Sequence, residues 1–104
     1  MMTREELIEL LGSGDKIKAV ISCENRQQSL IIGPMVEEIY GVTKTDWEME
    51  GDYWKYIFLE NSHVNAHSPG ILGEKFKSAK KISCDEFLAI VEGVRYDVNV
   101  NDLL

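Results

Sequence analysis

Two copies of one helix-start signal constrain what this chain can fold into. Thr3 is followed three positions later by Glu6, and Ser83 by Glu86, so each pair can form a capping box. An apolar stripe and then a glycine follow each box, which is where a helix would pack and end. The sequence therefore predicts a short helix over residues 4–11 and a second short helix that starts at Ser83.

Strand-like alternation of apolar and polar residues fills most of the remaining chain. The runs that show strand character are 16–23, 28–32, 46–50, 53–59 and 94–101. Residues 35–42 fit either a short strand or a helical turn. Because no strand–helix–strand rhythm is present, an antiparallel sheet is expected. The prediction is an α+β fold, with two short helices packed on one face of a small antiparallel sheet, in a single domain over residues 1–104.

The charge balance limits the classes of partner. Eighteen acidic and eleven basic side chains give a formal net charge of -7. Such a chain repels phosphate backbones and anionic lipid, so direct nucleic-acid binding and membrane binding are not expected. No apolar run resembles a signal peptide or approaches membrane-spanning length, which indicates a cytoplasmic protein. The favoured partner is a protein with a basic surface patch.

The acidic run around Trp47 is the first candidate site. Asp46, Glu48 and Glu50 alternate with apolar residues, and Asp52 follows in a predicted turn. The run begins like a calcium-binding loop, but the match fails at the twelfth position, which is an isoleucine rather than a bidentate glutamate. We interpret it as an acidic strand that meets a basic partner, which would include a nucleic-acid-binding enzyme if the acids mimic phosphates. The alternative is a charged edge strand that only prevents aggregation.

Both histidines fall in residues 61–73, the longest stretch predicted to be a loop. His63 and His67 have the spacing of zinc ligands, and Cys23 and Cys84 would complete a tetrahedral set. Zinc modules usually contain a close cysteine pair, whereas these two cysteines are far apart in the sequence. We therefore assign the histidines to a partner-binding loop and expect no metal and no cofactor.

Cys84 is the candidate for thiol chemistry. It would stand at the first position of the second helix, where free backbone N–H groups favour a thiolate. It also lies on the apolar stripe of that helix with Phe87 and Leu88, which favours a buried structural cysteine. If the thiol were a nucleophile, His63 or His67 would have to supply the base.

These observations favour a binding module over an enzyme. The leading hypothesis is a small acidic cytoplasmic protein of inhibitor, immunity or accessory type that binds another protein. No catalytic residue is assigned. The residues predicted to bind the partner are Asp46, Glu48, Glu50, Asp52, His63 and His67. The alternatives are a metal-binding or thiol-dependent enzyme that uses Cys84 with His63 or His67, and a small-ligand-binding domain.

Overall fold

A four-stranded sheet, a two-stranded antiparallel sheet and three helices make up the described part of the chain. The computed structural model describes residues 2–14, 16–42, 46–49, 51–69 and 78–93. The helices are α1 (Arg4–Leu11), α2 (Arg26–Tyr40) and α3 (Cys84–Glu92). The strands are β1 (Gly12–Ser13), β2 (Lys16–Ile17), β3 (Ala19–Ser22), β4 (Tyr56–Glu60), β5 (His63–His67) and β6 (Lys80–Ser83). The α+β class is confirmed.

The two-stranded sheet consists of β1 and β2, and the four-stranded sheet is mixed, with strand order β5-β4-β3-β6. β4 pairs antiparallel with β3 and with β5, as the sequence predicts. β6 instead runs parallel to β3, with Ile21 opposite Ile82 and Ser22 opposite Ser83. The prediction of an antiparallel sheet is wrong for this pair. The connection from β3 to β6 contains a helix and the β4–β5 hairpin, so no simple strand–helix–strand rhythm marks the parallel pair.

The two helices predicted from capping boxes are confirmed. The Thr3 Oγ1 atom accepts a hydrogen bond from Glu6 N at 3.2 Å, and Glu6 Oε1 accepts one from Thr3 N at 3.1 Å. At α3, Ser83 Oγ accepts from Glu86 N at 3.1 Å. Both helices therefore begin where their orphan N–H groups find an acceptor.

Residues 28–32, predicted as a strand, belong to α2 instead. Asn25 caps this helix by accepting a hydrogen bond from Gln28 N. Buried Ile32, Val36 and Tyr40 are spaced four residues apart, which is a helical period. Pro34 lies inside the helix, where proline costs about 3 kcal/mol relative to alanine. Burial of the apolar stripe outweighs that cost, because helices in proteins depend mainly on tertiary packing.

The predicted histidine loop is also partly a strand. His63–His67 forms β5, and it joins β4 through a two-residue turn at Asn61 and Ser62, whose φ angles are 50° and 65°. Two successive residues with positive φ are typical of a type I′ hairpin turn. Val64 is buried while His63 and Asn65 are exposed, so the segment alternates as an edge strand does. Residues 70–73 of the predicted loop and the predicted strand 94–101 lie outside the described residues.

Replacing Ser62 with glycine is expected to raise the free energy of unfolding by about 0.5–1 kcal/mol, because glycine adopts positive φ without a steric penalty. Ser78 lies in an exposed bend and does not have positive φ. Ser78→Gly should therefore lower stability or leave it unchanged. Urea denaturation of both variants checks the difference, and an equal loss for both would contradict the strained turn.

Alternate strand residues enter two apolar clusters. The main cluster combines residues of all three helices with Ile21, Ile57 and Ile82 of the sheet. The smaller cluster consists of Val20, Tyr56, Phe58 and Ala79, with Ile17 packed against it. Because neighbouring residues of a strand point to opposite faces, the two clusters lie on opposite faces of the sheet. Among the described residues, no helix has the length and apolar content needed to cross a membrane.

Candidate functional site

Trp47 attaches the acidic segment to α2. Its side chain is only 6% exposed and belongs to the main core cluster. The indole ring lies so close to Gly33 that any Cβ at that position would overlap it. The indole Nε1–H donates a hydrogen bond to Glu37 Oε1, and Glu37 is itself only 4% exposed. A glycine and a carboxylate one helical turn apart thus form the binding position for this ring.

The acids on either side of Trp47 face solvent. Asp46 and Glu48 are exposed, and Asp46 Oδ1 accepts a hydrogen bond from Glu48 N at 3.0 Å. Residues 46–49 have no strand pairing, so the prediction of an acidic strand is wrong for this part of the chain. The side-chain pattern arises because one large ring is buried against a helix and its two neighbours must point away. Glu50 lies outside the described residues.

Asp52 is exposed as well. Its Oδ1 atom accepts a hydrogen bond from Tyr53 N at 2.8 Å. Gly51 just before it has a φ of 76°, so the predicted turn is present. Asp52 belongs to the segment that leads into β4, beyond the part anchored by Trp47.

The surface of α2 beside the anchor is partly apolar. Pro34 and Glu38 directly follow the two residues that hold Trp47, which places them about 100° further around the helix. Both are exposed, and Ile31 on the same side is 52% exposed. A groove of about 290 Å³ runs along this side of α2 and reaches α3. Its lining residues are Ile31, Pro34, Met35, Glu38, Ile39 and Val91.

The histidines lie away from the acidic segment. His63 is exposed on the edge strand β5, and the His67 ring stacks on Phe58 with the ring centroids 5.3 Å apart. Phe58 belongs to the smaller cluster, whereas Trp47 belongs to the main one. The structure therefore places the histidines and the anchored acids on different sides of the sheet.

The two cysteines, distant in sequence, meet in the core. Their Sγ atoms are 3.2 Å apart, and Cys84 Sγ is also 3.6 Å from the carbonyl oxygen of Ser22. Parallel pairing of Ser22 with Ser83 makes Cys23 and Cys84 neighbours just past the ends of β3 and β6. The prediction that Cys84 is buried is confirmed, and Cys23 is buried as well, but sequence reasoning missed their contact. The two residues are 61 positions apart in the sequence, so no local pattern relates them.

The contact changes the acidity of the two thiols in opposite directions. The hydrogen bond with Cys23 lowers the pKa of Cys84, because it stabilises the Cys84 thiolate, while burial and the carboxylates of Asp85 and Glu24 act against this. The same hydrogen bond, together with burial and the negative charge of Cys84, raises the pKa of Cys23. Cys84 is therefore the more acidic thiol of the pair.

Neither histidine is placed to act as a base for Cys84. Cys23 and Cys84 belong to the main cluster with Ile21, whereas His67 stacks on a residue of the smaller one. His63 shares the strand face of His67, since side chains two or four positions apart in a strand point the same way. Within the part of the chain that the structure describes, no three His, Cys, Asp or Glu side chains form a group that could hold a metal ion.

Comparisons with known proteins do not assign a function to these residues. No family model, curated protein or solved structure matches the chain. The anchored acids and the cysteine pair must therefore be interpreted from their own geometry and charge. The groove on α2 is a second feature that sequence reasoning missed, since the sequence predicts a strand over residues 28–32. The helical spacing of Ile32, Val36 and Tyr40 was the signal that would have revealed it.

Proposed function

We propose that this chain is a protein-binding module, of inhibitor, immunity or accessory type, that acts in the cytoplasm. Its binding surface comprises Asp46 and Glu48, together with the neighbouring exposed side of α2. The observation that carries the proposal is the anchoring of Trp47 between Gly33 and Glu37. A buried anchor holds two exposed carboxylates in place without a partner, so binding loses less conformational entropy.

The partner is a protein segment that presents basic side chains beside an apolar one. Glu38, Asp46 and Glu48 are exposed around the anchor, and Ile31 and Pro34 are exposed next to it. Carboxylates at the rim steer a basic partner and select it, while burial of apolar side chains supplies affinity. A nucleic-acid-binding enzyme would present such a basic patch.

The described geometry favours this function over the two alternatives. An enzyme that used Cys84 with a histidine needs an imidazole beside the thiol, and both imidazoles lie on the other face of the sheet. A small-ligand domain needs a pocket of roughly 300–1,000 Å³ that converges on a few polar groups. A depression of about 410 Å³ beside α1, lined in part by Glu6, Glu9 and Lys18, has that volume but is shallow and open to solvent. The groove on α2 is about 290 Å³ and mostly apolar. It fits one or two side chains of a partner better than a small molecule.

Charge reversal tests the surface. The double variant Glu38→Lys/Glu48→Lys is expected to bind a peptide of alternating lysine and leucine pairs at least about tenfold more weakly, a loss of roughly 1.4 kcal/mol. The physical reason is that two attractive contacts become repulsive. Fluorescence anisotropy at low and high salt measures the affinity, and the difference between the proteins should shrink at high salt.

A matched control distinguishes the effect of this surface on binding from the effect of the protein's net charge. Glu5 and Glu9 are exposed on α1, and Glu5→Lys/Glu9→Lys changes the net charge by the same amount. This control should keep most of the affinity, as should a His63→Ala variant on β5. Equal weakening by both double variants would mean that only net charge matters, and unchanged binding by the first would remove the proposed surface.

A further inference from the structure

We propose that Cys23 and Cys84 form an oxidisable pair, which a hydroperoxide converts into a disulfide that ties the end of β3 to the start of α3. This modification site is separate from the proposed binding surface. It rests on the position of the two sulfurs, and its test does not depend on any partner.

The backbone positions suit a disulfide. Adjacent strands lie about 4.8 Å apart, and disulfide-linked Cα atoms are usually about 4.4–6.8 Å apart. Cys23 and Cys84 each follow directly after the paired residues Ser22 and Ser83. Their sulfurs are 3.2 Å apart, so small side-chain rotations bring them to bonding distance.

Hydrogen bonds hold both backbones in place on either side of the pair. Cys23 N donates to the carbonyl oxygen of Lys55 at 2.6 Å, which continues the β3–β4 ladder past its last paired residues. Cys84 is the first residue of α3, and the Ser83 side chain caps that helix. The two thiols therefore face each other because the sheet register and the helix cap fix their positions.

The two thiols differ in the way that a reactive and a resolving cysteine require. Cys84 is the more acidic of the two and stands at a helix N-terminus, where free N–H groups favour a thiolate. It is 3% exposed, whereas Cys23 is 0% exposed. Both thiols are buried, so acidity rather than access makes Cys84 the first to react, and Cys23 lies in contact with it.

The reaction balances with a hydroperoxide as the oxidant. The Cys84 thiolate attacks one peroxide oxygen, the O–O bond breaks, and the leaving oxygen takes a proton to become an alcohol, or water from hydrogen peroxide. Cys84 is then a sulfenic acid. The Cys23 sulfur attacks Cys84 Sγ, the S–O bond breaks, and the departing hydroxide leaves as water with the Cys23 proton. Two thiols are oxidised and one peroxide bond is reduced.

The disulfide would close a long loop. The two cysteines are 61 positions apart, and the chain between them contains α2, the acidic segment and the β4–β5 hairpin. Closing a loop of this length restricts the unfolded chain strongly, so oxidation should stabilise the fold. In a reducing compartment the bond would be transient, which is the usual behaviour of redox-sensing pairs.

The test uses the purified full chain, reduced, desalted and then treated with one equivalent of hydrogen peroxide. Intact mass should fall by two hydrogen atoms, and peptide mapping should find Cys23 linked to Cys84. The thermal midpoint should rise by at least about 10 °C, which dithiothreitol should reverse. Two thiols that stay titratable after peroxide, or a bond only between separate chains, would overturn the proposal.

Single cysteine-to-serine variants identify which thiol reacts with peroxide and which one then forms the disulfide. Cys23→Ser should stop at a sulfenic acid on Cys84 that dimedone traps, and Cys84→Ser should consume peroxide at least about tenfold more slowly than the natural chain. Equal rates for the two variants would overturn the assignment of Cys84 as the reactive thiol. If a variant does not fold, the mass and melting shifts of the unaltered chain still decide whether the disulfide forms.

Discussion

Replacing Trp47 with alanine is expected to lower the free energy of unfolding by about 3–5 kcal/mol, the usual range for a buried aromatic residue. The variant loses the contact of the ring with Gly33 and the hydrogen bond to Glu37, and it leaves a cavity beside α2. Urea denaturation followed by circular dichroism measures the change. A loss below about 1 kcal/mol would mean that Trp47 does not anchor the segment.

A pair of phenylalanine variants separates the ring from its hydrogen bond. Trp47→Phe keeps an aromatic ring on Gly33 and removes one hydrogen bond to a buried carboxylate, a loss of about 1.5–3 kcal/mol. Trp54 is the matched control, because its buried Nε1 atom has no hydrogen-bond partner within the described residues. Trp54→Phe should therefore cost less than Trp47→Phe. Equal losses would show that ring size alone matters at both positions.

Replacing Gly33 with alanine is expected to lower the free energy of unfolding by about 1–3 kcal/mol. Helix propensity predicts the opposite sign, since alanine is about 1 kcal/mol more favourable than glycine inside a helix. The contact with Trp47 reverses the sign because a Cβ at Gly33 overlaps the indole ring. Denaturation of Gly33→Ala measures the result directly.

The double variant Trp47→Ala/Gly33→Ala tests whether the contact with the indole ring causes this loss of stability. In a Trp47→Ala background the ring is gone, so Gly33→Ala should then raise stability by up to about 1 kcal/mol. A change of sign between the two backgrounds assigns the cost to the ring contact. If Gly33→Ala had the same effect in both backgrounds, the close approach of Trp47 to the helix would be excluded.

The single variants Trp47→Ala and Gly33→Ala also test the proposed binding surface. Asp46 and Glu48 depend on the buried Trp47 for their position, so either change should weaken binding of the lysine–leucine peptide even at temperatures where the chain remains folded. Trp54→Phe should leave that affinity unchanged, because Trp54 lies outside the anchored segment. This comparison distinguishes a prearranged surface from a diffuse negative charge.

Local sequence patterns were sufficient to predict those parts of the fold that depend on contacts between residues close together in the sequence. The capping boxes at Thr3 and Ser83 predict the starts of α1 and α3, because a cap is a contact between residues three positions apart. Alternation located β3 and β4 to within a few residues. The exposure of Asp46 and Glu48 on either side of Trp47 also followed from alternation, although no strand forms there.

The errors occur where distant packing overrides a local pattern. Ile31 and Ile32 are β-branched and precede Gly33 and Pro34, so residues 28–32 resemble a strand that ends at a breaker. The apolar face that α2 buries in the core makes them helical instead. His63–His67 resembles a polar loop, and becomes a strand because β4 supplies its hydrogen bonds.

The sequence by itself determined the α+β class, the caps of α1 and α3, the burial of Cys84 and the acidic charge, since each depends on composition or on residues a few positions apart. Only the tertiary structure decided which residues meet across the chain. It paired β3 with β6 in parallel and so brought Cys23 to Cys84, and it buried Trp47 between Gly33 and Glu37. The physical reason is that such contacts come from strand register and core packing, which join residues that no local pattern relates.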